Sequence, residues 1–402
     1  VTDTTRAEQP VTEAEFAALK DRVAAWVTGP GEEWAERIET TGEVPEELWA
    51  ELRGHGFLRM AAPVEYGGFG LTFPQWMELM EVFSRSHGST RMIVHVVNGI
   101  WRAMDPFADE EQRKKFVLPA ISGDIKIAFT LTEPGNGTGA DITSTVVREG
   151  DTYYLTGHKH LITFGVRCDY YLLAARVDGT TGHEGTVALL VPRHAEGVHA
   201  EDTSRTMGVT GTDHAEIRFD RTPVPVAHRL GREGEGLDVA LGGFLTPSRI
   251  SVGMSCVGLA QRAQELALDY AERRVSFGKA LSRRQAVQFM LAENAADIEA
   301  AKHLVLHAAR RFEEGGDDAS MLSSMAKMTA VSMLTRVTDN ALQVHGGLGY
   351  WKTSPIERVY RDARAQRFEE GTNEIQKTVV FRELTRLRTQ PADAATAQGG
   401  AK

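Results

Sequence analysis

Phe368-Glu369-Glu370-Gly371-Thr372-Asn373-Glu374-Ile375-Gln376 is the stretch from which the rest of the chain is best read. It sets a carboxylate beside a glycine turn and follows it at once with hydroxyl and carboxylate side chains. About twenty residues earlier runs Gln343-Val344-His345-Gly346-Gly347-Leu348-Gly349-Tyr350. Paired glycines let a backbone turn and come close to another body, which bulkier residues prevent. Together the two segments look like a base placed against a large bound ligand.

Upstream, the hydrophobic period changes twice. From 11 to 125, apolar residues recur every three or four positions, as in Phe16, Leu19, Val23 and Trp26, which predicts helices. Breaks are expected at Gly29-Pro30-Gly31 and at Tyr66-Gly67-Gly68-Phe69-Gly70. From 126 to 235, short β-branched and aromatic runs such as Tyr153-Tyr154-Leu155, Tyr170-Tyr171-Leu172-Leu173 and Val187-Ala188-Leu189-Leu190-Val191 alternate with Gly- and Asp-rich turns. Ala215, Ile217 and Phe219 alternate as on a half-buried strand, so this region reads as a compact β domain. From 236 to 388 the helical period returns. Leu291, Asn294, Ile298, Ala301, Val305 and Ala308 form one stripe, and Met325, Met328, Val331 and Leu334 another, as in a helical bundle. The Ala-, Gly- and Gln-rich end, 389 to 402, is expected to be disordered.

With 402 residues the chain can hold two or three domains' worth of core, and 42% hydrophobic with 25% charged residues is ordinary for a globular protein. A net charge of -10 with interspersed signs argues against nucleic acid as a partner. Cys168 and Cys256 lie far apart without metal-ligand spacing and read as packing residues in a reducing compartment. No apolar run approaches the roughly 20 residues that span a bilayer. The first residues lack the basic-then-apolar layout of a signal peptide, so a cytoplasmic location is expected.

Further motifs carry chemistry. In Thr130-Leu131-Thr132-Glu133-Pro134-Gly135-Asn136-Gly137-Thr138, glycines expose backbone N–H groups and threonine hydroxyls both donate and accept, which suits a polar heterocycle or a phosphate. Gly157-His158-Lys159-His160-Leu161-Ile162-Thr163-Phe164-Gly165 puts two histidines on one side of a strand, with no third metal ligand nearby. Arg273-Arg274-Val275-Ser276-Phe277-Gly278-Lys279 and Gln285-Ala286-Val287-Gln288-Phe289 offer an Arg fork suited to a pyrophosphate.

Taken in this order, the motifs resemble those of the acyl-CoA dehydrogenase family over nearly the whole chain, from about Pro10 to Arg388. The resemblance implies an α+β fold: an N-terminal helical domain, a central β-barrel-like or sandwich domain, and a C-terminal four-helix bundle. It implies FAD, an acyl-CoA or acyl carrier protein thioester as substrate, an electron-transferring flavoprotein as electron acceptor, and a homo-oligomer, tetramer or dimer. By matching position, Phe129, Leu131, Thr132, Gly137, Thr138, Leu161, Ile162, Thr163, Thr372 and Glu374 would hold the flavin half of the cofactor. Arg274, Ser276, Phe277, Gln285, Gln343, Gly346 and Gly347 would meet the ADP half in a neighbouring subunit. Glu370 would be the base removing the α proton. Thr138, Thr246, Arg249, Glu369 and Gly371 would line the substrate site.

The chain departs from that pattern in several places. Thr138-Gly139 stands where an Asp commonly follows Gly-Ser, and Leu161 stands where Trp is usual. In Leu245-Thr246-Pro247-Ser248-Arg249, Thr246 replaces an Asp. Some members carry the base immediately before that Arg; Ser248 cannot serve as a carboxylate, which points back to Glu370. Glu369 replaces an aromatic residue and is expected to face solvent. Lining the pocket instead, it would repel ionised Glu370, titrate with it as a pair, or select a polar acyl group. A flavin-dependent acyl-CoA oxidase or monooxygenase on the same fold, and a non-catalytic flavin- or acyl-binding protein, are the alternatives.

Overall fold

Thr12 starts the first helix with a reciprocal cap, its hydroxyl accepting from Glu15 N while the Glu15 carboxylate accepts from Thr12 N. The computed structural model describes residues 11–135, 141–203 and 205–389. Helix α1 (Glu13–Thr28) buries Leu19, Val23, Trp26 and Val27, the predicted stripe, with Phe16 half-buried at its edge. Gly29 ends it, and Pro30 opens α2 (Pro30–Thr41), where a missing N–H loses no helical bond. Then follow α3 (Glu46–Gly54), α4 (Phe73–Phe83), α5 (Gly88–Met104), and the short α6 (Glu110–Gln112) and α7 (Leu118–Ser122). Helix α5 is buried nearly all round, so polar side chains on it must find partners inside the protein.

Eight strands form one sheet: β1 (Ile127–Thr130), β2 (Thr145–Glu149), β3 (Thr152–Thr163), β4 (Tyr170–Val177), β5 (Thr186–Pro192), β6 (Val198–Asp202), β7 (His214–Pro225) and β8 (Arg229–Leu230). Their order is β6-β7-β3-β2-β4-β5-β8, with β1 lying parallel to β4. Strand β5 is buried along Thr186–Val191, as its uninterrupted apolar run requires. On β7, Ala215, Ile217 and Phe219 point into the sheet's core. On β3 the two histidines face Glu216, and Lys159 between them points the other way, into the interior.

That inward lysine anchors the loop after β1. Lys159 Nζ donates to Glu133 Oε1 (2.9 Å), Leu131 O (3.1 Å) and Ala174 O (2.9 Å). The Glu133 carboxylate also accepts from Thr143 N (2.7 Å), Thr143 Oγ1 (2.5 Å) and Ser144 N (3.0 Å). The buried ion pair thus fixes the backbone of Leu131, and His160 N, donating to Thr132 O (2.9 Å), holds the next residue against β3.

A π-helical segment, Asp238–Leu245, leads into α8 (Thr246–Arg273). With α9 (Gln285–Glu313), α10 (Ala319–His345) and α12 (Asn373–Thr389) it forms the helical bundle, α11 (Pro355–Ala365) crossing between. Buried positions on α9 are the six predicted from periodicity, plus Ala309. On α10 the buried face includes Val331 and Leu334 but is centred on Leu322, Ala326, Ala330 and Val337, leaving Met325 and Met328 half-buried. Asp362 on α11 joins the three regions: its carboxylate accepts from Gly88 N at the start of α5 (3.0 Å) and from Val209 N of the β region (2.6 Å). A Cβ on Gly88 would lie 2.9 Å from Asp362 Cγ, so glycine is needed for that approach. No helix among the described residues is long and apolar enough to cross a membrane. Residues 390–402, with most of the segment expected to be disordered, lie outside the described residues.

Lys159 and Glu133 side chains are 0% and 2% exposed, so removing one charge strands the other. Lys159→Met should destabilise the protein by about 3–5 kcal/mol in chemical denaturation. Burial works to raise the Glu133 carboxyl, but Lys159 and the Ser144 and Thr143 hydrogen bonds hold it at about 2. Its stabilisation is therefore fully present above the ordinary carboxylate value and lost as pH falls toward 2. A Glu133→Gln variant should show a flatter loss of stability over that acid range.

Candidate functional site

Between α11 and α12 the chain makes a turn in which Glu370 and Gly371 both take left-handed conformations, φ +53° and +92°. A non-glycine residue held there is unusual and needs support from its surroundings. Gln376 Nε2 donates to Glu370 O and to Gly371 O, both at 3.0 Å. Arg249 Nε donates to Glu370 O at 3.3 Å, and Lys327 Nζ donates to Gly371 O. Two buried cations and an amide thus grip the turn's carbonyls.

This turn sends its two adjacent carboxylates to different partners. Glu369 is held by Arg91 in a two-toothed pair, Nη1 to Oε2 and Nη2 to Oε1, each 2.7 Å. Glu370 Oε1 accepts from Ser248 Oγ at 2.8 Å, and Ser248 Oγ lies 2.8 Å from His95 Nε2. His95 Nε2 is itself 3.7 Å from Glu370 Oε1. Because the Ser248 hydrogen goes to the carboxylate, its oxygen must accept from His95, which requires a proton on Nε2. Arg91 and His95 are one helical turn apart on α5, so a single helix face supplies both carboxylates' neighbours.

The expectation of a solvent-facing Glu369 is corrected: its side chain is 15% exposed and that of Arg91 2%. The alternative in which its charge repels Glu370 is also changed in its premise, since Arg91 neutralises it at contact distance. Burial works to raise the Glu369 carboxyl; the charge and hydrogen bonds of Arg91 outweigh it and leave it below the usual carboxylate range. Burial lowers Lys327, partly offset by Cys256, Glu369 and Glu370, and it lowers Arg249, partly offset by Glu370. Both cysteines are buried thiols, pushed up to about 12 by burial and so unreactive.

The other predicted residues fall into two groups. Leu131, Thr132, Phe129, Leu161, Ile162 and Thr163 lie at one edge of the sheet, where Leu161 is exposed at φ +57°. Phe129 stacks on Phe244, its ring centroid 4.1 Å away, so the sheet edge meets the π-helical segment that leads to Ser248. Ile162 is buried in the sheet core, so its side chain is closed to a ligand. Thr372 and the exposed Glu374 start α12, and Thr246 Oγ1 is turned back to Leu241 O (3.2 Å). Gly137 and Thr138 lie outside the described residues. Arg274, Ser276, Phe277, Gln285, Gln343, Gly346 and Gly347 gather at the other end of the bundle, where Tyr270 stacks on His345. Along α10 that end is roughly 27 Å from Lys327, at 1.5 Å per residue. The two groups are not brought together within one chain.

Periodicity and motif reading missed Arg91, His95 and Lys327. Each is an ionisable residue on the buried face of its helix, and the four-residue spacing of Arg91 and His95 is the signal that could have marked them.

A large planar cofactor fits the sheet edge: Leu161 offers an exposed aliphatic face, and Thr132 and Thr163 remain half-buried beside it. At the far end a Cβ on Gly346 or Gly347 would meet nothing within 4 Å inside the chain, which leaves that backbone open to an outside partner.

Three stretches match the domains of one family: the acyl-CoA dehydrogenase N-terminal domain at 13–124, middle domain at 128–222 and C-terminal domain at 234–385. The chain is 35% identical over 357 residues to an acyl-CoA dehydrogenase of Bacillus subtilis, covering 87% of this chain and 92% of that one. It is 35% identical to a subunit of the caffeyl-CoA reductase-Etf complex of Acetobacterium woodii, covering 86% and 91%. Among solved structures, the butyryl-CoA dehydrogenase of Megasphaera elsdenii superposes with a TM-score of 0.85 at 29% identity, covering 94% and 100%.

Arg91→Met should destabilise the fold by about 3–5 kcal/mol, because Glu369 stays buried without its partner. Adding Glu369→Gln should recover most of that loss, a non-additivity that equilibrium denaturation of both single variants and the double variant reads directly.

Proposed function

Because this chain belongs to the acyl-CoA dehydrogenase family, we propose that Glu370 is the general base of an acyl-CoA α,β-dehydrogenation. The chain is an FAD-dependent oxidoreductase acting on CH–CH groups, as the family is. FAD, when bound, supplies the two-electron oxidant for the β carbon. Leu131, Thr132, Leu161, Ile162, Thr163, Phe129, Thr372 and Glu374 would hold its flavin half.

The observation that carries the proposal is the left-handed turn with its divided carboxylates. Ser248 occupies one oxygen of Glu370 with a donated hydrogen, which orients the group. That leaves Oε2 to take the α proton. Glu370 N–H has no acceptor among the described residues, so it is available to the thioester carbonyl, where negative charge grows as the proton leaves. Arg249, Lys327 and Gln376 act on the backbone, keeping both the N–H and the carboxylate in place.

Phe277, 95% exposed, and the open Gly346-Gly347 backbone favour a second copy of the chain as the ADP-binding partner, and hence a homo-oligomer, a tetramer or a dimer. An electron-transferring flavoprotein is the proposed acceptor, supported by the relative that belongs to an Etf complex.

Anaerobic mixing with acyl-CoA thioesters tests the base. Wild-type flavin absorbance should bleach, whereas Glu370→Gln should keep its flavin and reduce it at least about 10²–10⁴-fold more slowly. Near-normal reduction by that variant would show that another group takes the proton. Ser248→Ala removes the donor that orients the Glu370 carboxylate, so it should slow flavin reduction while flavin binding is kept.

A further inference from the structure

Three buried nitrogens on α5 have no hydrogen-bond partner among the described residues: His95 Nδ1, Trp101 Nε1 and Arg102 Nε. His95 and Arg102 line one narrow cavity, whose apolar walls include Phe73, Trp76, Phe244 and Pro247 and which Ser248 also lines, at the end nearest Glu370. His95, Gly99 and Arg102 follow one another at spacings of four and three, so they share a helix face. Gly99 leaves that face bare: a Cβ there would find only Phe244, at 4.0 Å. Beyond Arg102 the space widens into a groove of about 510 Å³ that Trp101, Phe107 and Asp238 also line.

Arg102 differs from Arg91 in having no carboxylate against it. Its one hydrogen bond among the described residues goes from Nη2 to Ala61 O, 3.0 Å. The guanidinium lies over the rings of Trp101 (4.5 Å to the centroid) and Phe73 (5.2 Å), which orients it without satisfying Nε. Of the nearby acids, Glu313 accepts from Phe73 N (2.7 Å), and Asp238 pairs with His183 (2.9 Å). Burial lowers Arg102 to about 10, with Glu313 the sole offset, so it remains a cation at neutral pH. A half-buried guanidinium whose Nε is shut away from water without a partner is a costly way to fill space.

We propose that Arg102 receives a carboxylate at the far end of the acyl chain, so that the substrate is a short dicarboxylyl-CoA. This rests on the reading of Glu370 as the base, since the Glu370–Ser248–His95 line marks where the reacting carbons lie. From His95 to Arg102 the helix rises roughly 10 Å, and the Arg side chain leans back toward the reacting end. The reach is therefore that of a short chain. The cavity between His95 and Arg102 is narrow, about 10 Å³, room for about one water. The carboxylate would engage Arg102 through Nε and a second guanidinium nitrogen, completing the bonds the protein leaves open. It takes no part in the bond changes at the α and β carbons.

The test uses the flavin-loaded enzyme and three matched pairs: succinyl- against butyryl-CoA, glutaryl- against pentanoyl-CoA, and adipyl- against hexanoyl-CoA. In at least one pair the wild type should favour the dicarboxylyl member in kcat/KM by about 10–100-fold, the scale of a hydrogen-bonded charge. Arg102→Met should abolish that preference mainly through KM while leaving the monocarboxylyl partner within a few-fold, and Arg102→Lys should retain part of it. Preference for the monocarboxylyl member in every pair would overturn the proposal, and this ratio is read on the wild type whether or not a variant folds. A preference that survives in Arg102→Met would overturn it equally. Were Glu370→Gln to reduce its flavin at the wild-type rate, the base assignment would fall, while the wild-type ratio would still decide the role of Arg102.

Discussion

Everything at the site depends on holding Glu370 in a left-handed backbone conformation. Two neighbouring carboxylates left in one environment would resist ionising together. The turn avoids this by aiming Glu369 at Arg91 and Glu370 at Ser248. Its strain, on the order of 1–3 kcal/mol for such a conformation, is offset by the donors that converge on its two carbonyls. Those donors come from α8, α10 and α12, so the bundle exists in part to keep one peptide in place.

The buried charges around the turn follow a common logic. Arg91, Lys327 and Arg249 stand against Glu369, Glu370 and two backbone carbonyls, and each cation is met by a full or partial negative charge. Such clusters add little net stability, because the loss of hydration is large, but breaking one member is severe. Their value lies in fixed orientation: a carboxylate whose neighbours cannot move presents the same oxygen to every substrate. Arg102 is the exception, a half-buried cation whose Nε is left unpaired on the same helix as Arg91.

What could be read from the sequence was what local chemistry decides. The α9 stripe, the alternating strand β7 and the glycine breaks follow from period and backbone freedom alone, and the structure places each where the pattern put it. Glu370 was legible through its neighbours Gly371 and Thr372. Its environment was not, because the partners are remote: Ser248 is 122 residues away and Arg91 is 278 residues from Glu369. A polar residue next to a glycine turn looks solvated until the helix that faces it is known. Ser248 could be seen to be unable to act as a base, but not that its hydroxyl would become the base's hydrogen-bond donor.

The account's central claim is that Glu370, in this turn, is the group that moves the α proton, and isotope exchange reads that act without requiring net oxidation. The flavin-loaded enzyme, held anaerobically in D₂O with an acyl-CoA, should exchange the substrate's α hydrogen for deuterium, as followed by mass spectrometry. Glu370→Gln should keep its flavin and lose the exchange by at least about 10²-fold. Exchange at the wild-type rate in that variant would contradict the account.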